Sequence, residues 1–118
     1  MSIISYCEMG YWQLVTSSVI DYEVFRTADI ARIEDIKALC LLSKEYLELT
    51  PKEEEKAQKF QQYGIKPMDS FHLALAESFE VDVLLTTDKK FLNIAKRLNL
   101  SVRVENPVIW FMEVMSNE

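Results

Sequence analysis

The chain has 118 residues, enough for one domain but not for two, so we treat residues 1–118 as a single domain. Apolar residues make up 49% of it, which excludes a disordered chain, and its scarce glycines and prolines favour long helices over a many-turned all-β fold. The net charge of −6 excludes nucleic-acid binding through a basic face, so an RNA substrate would need a metal ion or a partner to offset the repulsion. Acidity that simply aids solubility is the alternative.

The first half of the chain predicts helices around one short strand. Residues 2–12 read as the end of a helix that begins without a cap, and residues 13–17 as a buried strand. Ser17 or Ser18 then caps a second helix. Residues 30–48 carry a broad apolar stripe at helical spacing, which predicts one long helix.

A fourth helix has a strong start signal. Thr50 is expected at its N-cap, Pro51 at the first helical position, and Glu53 closing a capping box. Gly64 is expected to end the helix. The charged run 52–56 predicts a solvated face.

The last part of the chain alternates helices and strands. Helices are predicted over 69–79 and 89–98 and after Pro107, and strands over 82–87 and 101–105. This alternation predicts an α/β domain with a mostly parallel sheet. Only three strands are convincing, which is few for such a sheet.

The cysteines and the apolar runs indicate the compartment. Cys7 and Cys40 lie in segments predicted to be helical, without a CxxC neighbour or a nearby histidine, so we expect free thiols in a reducing cytoplasm. His72 is the only histidine, so no zinc site is expected. No apolar run approaches the ~20 residues of a membrane span, and the N-terminus does not read as a signal peptide.

Two aspartates lie where chemistry is expected. Asp69 is in the first turn of a predicted helix, and Asp88 directly follows an apolar strand. The strand follows the helix after a short turn, so the two carboxylates are expected side by side. Carboxylates at the strand ends of an open α/β sheet suit a hard divalent cation and a phosphate ester. The alternative is that each aspartate only caps or stabilises its helix.

Three further side chains fit such a site. Thr86 lies two residues before Asp88, on the same strand face, where its hydroxyl can support that carboxylate. Glu23 lies among apolar neighbours on the helix after the first strand, which predicts a partly buried carboxylate or, alternatively, a surface glutamate. His72 follows Asp69 by one helical turn, as a supporting residue or as a histidine of the packed core.

In combination these segments resemble a PIN domain. The resemblance is carried by Met68 to Ala76 (Met-Asp-Ser-Phe-His-Leu-Ala-Leu-Ala), by residues 84–91 and 104–107, and upstream by 14–23. It covers nearly the whole chain and implies a three-layer, Rossmann-like parallel sheet flanked by helices. It also implies a metal-dependent ribonuclease, of a kind common among VapC-like toxins of toxin–antitoxin pairs.

The resemblance implies roles for four residues. Glu23, Asp69 and Asp88 match three of the family's four usual acidic positions, which gather Mg²⁺ or Mn²⁺, and Thr86 matches the hydroxyl residue before the last aspartate. The fourth position, an aspartate ending the first strand, has no match here. We therefore expect an N-terminally truncated PIN-like sheet with two exposed inner strand edges. There are two alternatives. A partner or second copy supplies the missing strand, or the protein is degenerate and its sheet is rearranged.

Two functions follow from these expectations. The first is a metal-dependent endoribonuclease, a toxin with RNA as substrate and a cognate antitoxin or a second copy of itself as partner. The second is a catalytically impaired PIN-like module that binds an antitoxin or itself. Trp110, Phe111 and Met112 are candidate contacts for such binding, or else core residues. A receiver-like signalling domain fits poorly, because no acidic pair follows the first predicted strand.

Overall fold

The computed structural model describes residues 2–26 and 28–117, which form two compact units, Met1–Leu49 and Thr50–Glu118. The first unit contains α1 (Ile3–Glu8), β1 (Val15–Ser17), α2 (Ser18–Arg26), α3 (Ile30–Leu42) and β2 (Glu45–Leu47). The second contains α4 (Pro51–Gln61), α5 (Pro67–Ser78), β3 (Val83–Leu85), α6 (Lys89–Ala95), β4 (Arg103–Glu105) and α7 (Pro107–Ser116).

The described strands form two small parallel sheets, one in each unit. β1 pairs with β2, with Thr16 opposite Tyr46, and β3 pairs with β4, with Leu84 opposite Val104. Helices lie between the paired strands along the chain, as a parallel pair requires. The α/β class and the parallel pairing are therefore confirmed, and the three-layer arrangement stays a prediction.

The predicted helix over 30–48 is wrong beyond Leu42. Ser43 takes an extended conformation (ψ 135°) and ends α3. Its hydroxyl accepts a hydrogen bond from the Thr16 hydroxyl (3.0 Å) and donates one to the Glu45 carbonyl (2.7 Å). These bonds direct residues 45–47 alongside β1. Tyr46 and Leu47 stand at helical spacing from the apolar residues of α3, which is why the pattern concealed a fourth strand.

A hydrogen bond joins this fourth strand to the helix that carries Glu23. The Tyr46 hydroxyl donates to Asp21 Oδ2 at 2.6 Å. This bond to the carboxylate raises the pKa of Tyr46 to about 12, with desolvation and the charges of Asp21 and Glu48 acting in the same direction. A raised folded-state pKa means that the bond stabilises the fold fully below the unfolded value of about 10 and is lost as pH rises towards 12.

We expect this shift to be visible in an ultraviolet titration. The difference between the wild type and Tyr46→Phe at 295 nm should report one phenol that ionises well above pH 10. Asp21→Asn should bring that ionisation back towards 10, because the neighbouring negative charge is gone. Asp35→Asn, an exposed change on α3, is the matched control and should leave it in place. Ionisation of Tyr46 near pH 10 in the wild type would contradict the assigned bond.

The core of the second unit forms around α5. This helix is apolar nearly all round, and it packs against α4. Leu73 and Ala74 are fully buried on it. The helix α6 contributes Phe91, Ile94 and Ala95 to the same core. The buried cluster comprises Ile65, Leu73, Ala76, Phe91, Ile94, Ala95, Val102 and Val104.

The start of α4 differs from the predicted capping box. Thr50 is the N-cap and Pro51 the first helical residue, but the Thr50 side chain makes no bond to a helix N–H. Its hydroxyl instead bonds the Glu53 carboxylate. Glu53 is only 3% exposed, so it does not belong to a solvated face, whereas Lys52 and Glu54 are exposed. A buried carboxylate needs a partner, and the threonine hydroxyl supplies one.

The ends of the described chain correct two smaller expectations. Ser2 caps α1 by accepting a hydrogen bond from the Ser5 N–H (3.2 Å), so this helix does begin with a cap. At the other end no residue of α7 is buried, and Met112 is exposed, so α7 is not a core helix. Both cysteines carry free thiols. No helix within residues 2–26 and 28–117 has the length and apolar character needed to cross a bilayer.

Candidate functional site

Asp88 is held from three directions. It is the N-cap of α6, where its Oδ1 accepts a hydrogen bond from the Phe91 N–H at 3.1 Å. Its own N–H donates to the Thr86 hydroxyl oxygen at 3.2 Å. Its Oδ2 lies 3.5 Å from Lys66 Nζ. The predicted capping role is therefore present, and one carboxylate oxygen remains directed at a cation.

These contacts keep Asp88 ionised. The backbone N–H of Phe91 lowers its pKa, and the charge of Lys66 and a further hydrogen bond from that side chain act in the same direction, while partial burial opposes them. The side chain is 28% exposed, so its charge is accessible from solvent. A rigid, ionised and accessible carboxylate is what a hard metal ion requires.

Thr86 supports Asp88 through the main chain. The sequence predicts that its hydroxyl can support the Asp88 carboxylate, and in the structure that hydroxyl accepts a hydrogen bond from the Asp88 backbone N–H instead. Thr86 also extends the β3–β4 pairing, because its N–H donates to the Glu105 carbonyl at 3.0 Å. Its contribution is to fix the backbone from which the Asp88 side chain leaves the strand.

Asp69 and Asp88 line one shallow pocket in the second unit. Asp69 lies in the first turn of α5, half-buried, where a carboxylate also stabilises the helix dipole. Gly64 has φ +96°, a conformation that glycine adopts readily, and it turns the chain from α4 towards α5. The pocket is lined by Gly64, Ile65, Lys66, Asp69, Asp88, Lys90, Phe91 and Ile94. The fold thus brings two of the proposed acidic residues to the same surface.

The other proposed residues lie as follows. Glu23 is on α2 in the first unit, half-buried, as its apolar neighbours predicted. His72 is half-buried on α5, one turn after Asp69. Within each unit, the part of the chain that the structure describes shows no group of three or more His, Cys, Asp or Glu side chains arranged to hold a metal ion.

The donor set of the second unit fits one class of metal. Asp69 and Asp88 offer only carboxylate oxygens, without thiolate or imidazole at the pocket. Mg²⁺ is usually bound by one or two carboxylates together with waters and substrate phosphates. Two carboxylates that line one pocket therefore suit Mg²⁺ or Mn²⁺, and they do not suit zinc or copper.

Lys66 is the site residue that sequence reasoning missed. It is the N-cap residue of α5, and its ammonium reaches Asp88 at the start of α6. The local signal for it is its position directly before Pro67-Met68-Asp69, which places it close to the carboxylate of Asp69 in the sequence. Its partner, however, lies a helix and a strand further along the chain, which no local pattern reveals.

Comparison with known proteins identifies the family. A model of the PIN domain family matches residues 9–97, which takes in both units and contains Glu23, Asp69, Thr86 and Asp88. No curated protein and no solved structure shows significant similarity to the chain. Because the matched segment makes up most of the sequence, the chain belongs to the PIN domain family.

Proposed function

We propose that this protein is a metal-dependent endoribonuclease that hydrolyses RNA phosphodiesters. PIN domains act on RNA and usually bind divalent metals, and membership of the family suggests a nuclease-type function. The observation that carries the proposal is the shared pocket of Asp69 and Asp88, whose donors suit Mg²⁺ or Mn²⁺.

The residues of the chain have distinct roles in this proposal. Asp69 and Asp88 hold the ion, and Thr86 fixes the backbone of Asp88. Glu23 is the third acidic residue that the family pattern assigns to this chain. When bound, the ion supplies a water of lowered pKa and neutralises charge on the phosphate. The helix cap at Phe91 holds the Asp88 carboxylate in place, so little reorganisation is needed at the moment of reaction.

We further propose that the protein is a VapC-like toxin of the cytoplasm. The family match runs across both units, which supports a single PIN domain over residues 1–118 with the three-layer arrangement of that family. Exposed apolar side chains support a protein partner, a cognate antitoxin or a second copy of the chain. On α3 and α7 they are Ile30, Leu39, Leu41, Val108, Ile109 and Met112.

A catalytically impaired binding module is the second candidate. The fourth acidic position of the family has no counterpart in residues 1–118. Within each unit the described residues also show no metal-binding group of three or more side chains. Fewer ligands weaken the hold on a metal, so binding of a protein partner would then be the function.

Adding Mn²⁺ tests both candidates. For the nuclease we expect cleavage of a single-stranded RNA with Mn²⁺ and none with EDTA. We also expect a rise of several degrees in Tm, because an ion at a hundred times its Kd stabilises the fold by about 2.7 kcal/mol. Sodium chloride at equal ionic strength is the control. Unchanged Tm without cleavage would favour the binding module, because that candidate holds metal only weakly. Stabilisation without cleavage would keep the metal site and contradict the nuclease.

A further inference from the structure

We propose that Lys66 is an exchangeable counter-cation: it pairs with Asp88 until a divalent metal displaces it, and the released ammonium then contacts a phosphate of the RNA. This inference rests on the proposed function and extends it to a residue outside the acidic set. It starts from the contact between Lys66 Nζ and Asp88 Oδ2 at 3.5 Å.

The two oxygens of Asp88 have different partners. Oδ1 accepts a hydrogen bond from the Phe91 N–H and caps α6, so this oxygen already stabilises the start of the helix. Oδ2 faces Lys66, and it is the oxygen left for a metal ion. A divalent ion at Oδ2 would repel an ammonium that close, because both carry positive charge. Metal binding at Asp88 must therefore move Lys66 away.

The Lys66 side chain can change its position easily. Its side chain is 67% exposed, and its place at the N-cap of α5 involves no side-chain capping bond. A long flexible side chain can thus leave Asp88 without disturbing the helix start. Exposed ion pairs are weak, so the exchange needs little free energy.

The released ammonium has a natural new partner. It stays near the pocket, because Lys66 is one of the residues that line it. A phosphate that binds to the metal would also lie at this pocket. Lysine binds phosphate well, because its ammonium is a compact point charge. The chain has a net charge of −6, which opposes RNA binding. The Lys66 ammonium is released only when the metal has bound, so it favours RNA binding at the metal-loaded site.

The first test is metal affinity. Lys66→Met should bind Mn²⁺ about two- to fivefold more tightly than the wild type, because a competing cation is gone. Lys66→Arg should behave as the wild type. Lys52→Met, which removes an exposed lysine from the first turn of α4, is the matched charge control. Circular dichroism checks that each variant is folded. Unchanged or weaker Mn²⁺ binding by Lys66→Met would overturn the exchange.

The second test is RNA affinity, measured by anisotropy of a labelled single-stranded RNA. With saturating Ca²⁺, Lys66→Met should bind the RNA about three- to tenfold more weakly than Lys52→Met does, since a single phosphate contact is worth a modest factor. With EDTA the two variants should be equal. A loss of equal size with and without metal would indicate a merely structural role and overturn the phosphate contact.

Failure of the inference can be told apart from failure of the proposed function. If the wild type does not bind Mn²⁺, or if Asp88→Asn binds it equally well, the metal site itself is wrong. If the wild type binds Mn²⁺ at Asp88 but Lys66→Met does not tighten that binding, only the role of Lys66 is wrong.

Discussion

We expect Asp88→Asn to abolish metal-dependent RNA cleavage, with a fall in rate of about a hundredfold or more, the size of effect seen when one charge-stabilising group is removed from an active site. The substitution removes a negative charge beside Asp69 while keeping the shape of the side chain. A neutral amide is a poor ligand for a hard divalent ion compared with a carboxylate. The measurement is the rate of cleavage of a single-stranded RNA at saturating Mn²⁺.

The same substitution should leave the fold intact, which separates catalysis from stability. Asparagine is as good an N-cap as aspartate, so the bond from the Phe91 N–H is retained. Asp29→Asn provides the matched control, because Asp29 caps α3 through the Arg32 N–H in the same way and does not line the pocket. Full cleavage activity in Asp88→Asn would show that the assigned centre is not catalytic.

The largest expected effect on stability comes from Leu73→Ala, which should lower the free energy of unfolding by about 2–5 kcal/mol. Leu73 is fully buried on α5 and belongs to the core cluster with Phe91 and Ile94. Its truncation removes apolar contacts and leaves a cavity among side chains that are fixed on two helices. Urea unfolding followed by far-ultraviolet circular dichroism measures the loss.

Leu41→Ala is the control for that experiment. It makes the same chemical change on α3, where the side chain is 88% exposed, so we expect a change within about 0.5 kcal/mol. Equal losses in the two variants would contradict the assignment of Leu73 to the core. A marked loss only in Leu73→Ala would confirm that α5 organises the second unit.

Local signals predicted the elements around the site. Capping of α6 was the alternative role for Asp88, and Asp88 does cap this helix through an N–H three residues later, a contact that the local sequence contains in full. The buried face of α5 and the strands on either side of α6 likewise follow from patterns within a dozen residues. The acidic residues were selected by resemblance to the PIN family. The family match supports that resemblance over residues 9–97.

Local signals failed where a distant partner decided the outcome. Residues 45–47 continue the apolar spacing of α3, yet they form a strand because β1 offers unpaired backbone groups to them. Glu53 reads as part of a charged surface run, yet it is buried against the Thr50 hydroxyl once α4 has packed on α5.

The sequence by itself therefore determined the family, the starts of α3, α4 and α6, and the positions of Asp69 and Asp88, because capping bonds and apolar periodicity act within one or two turns of the chain. Only the tertiary structure decided that β2 exists, and that Lys66 lies beside Asp88 in the pocket. Strand pairing and ion pairing join residues that are far apart in sequence, so their partners are fixed only when the chain has folded.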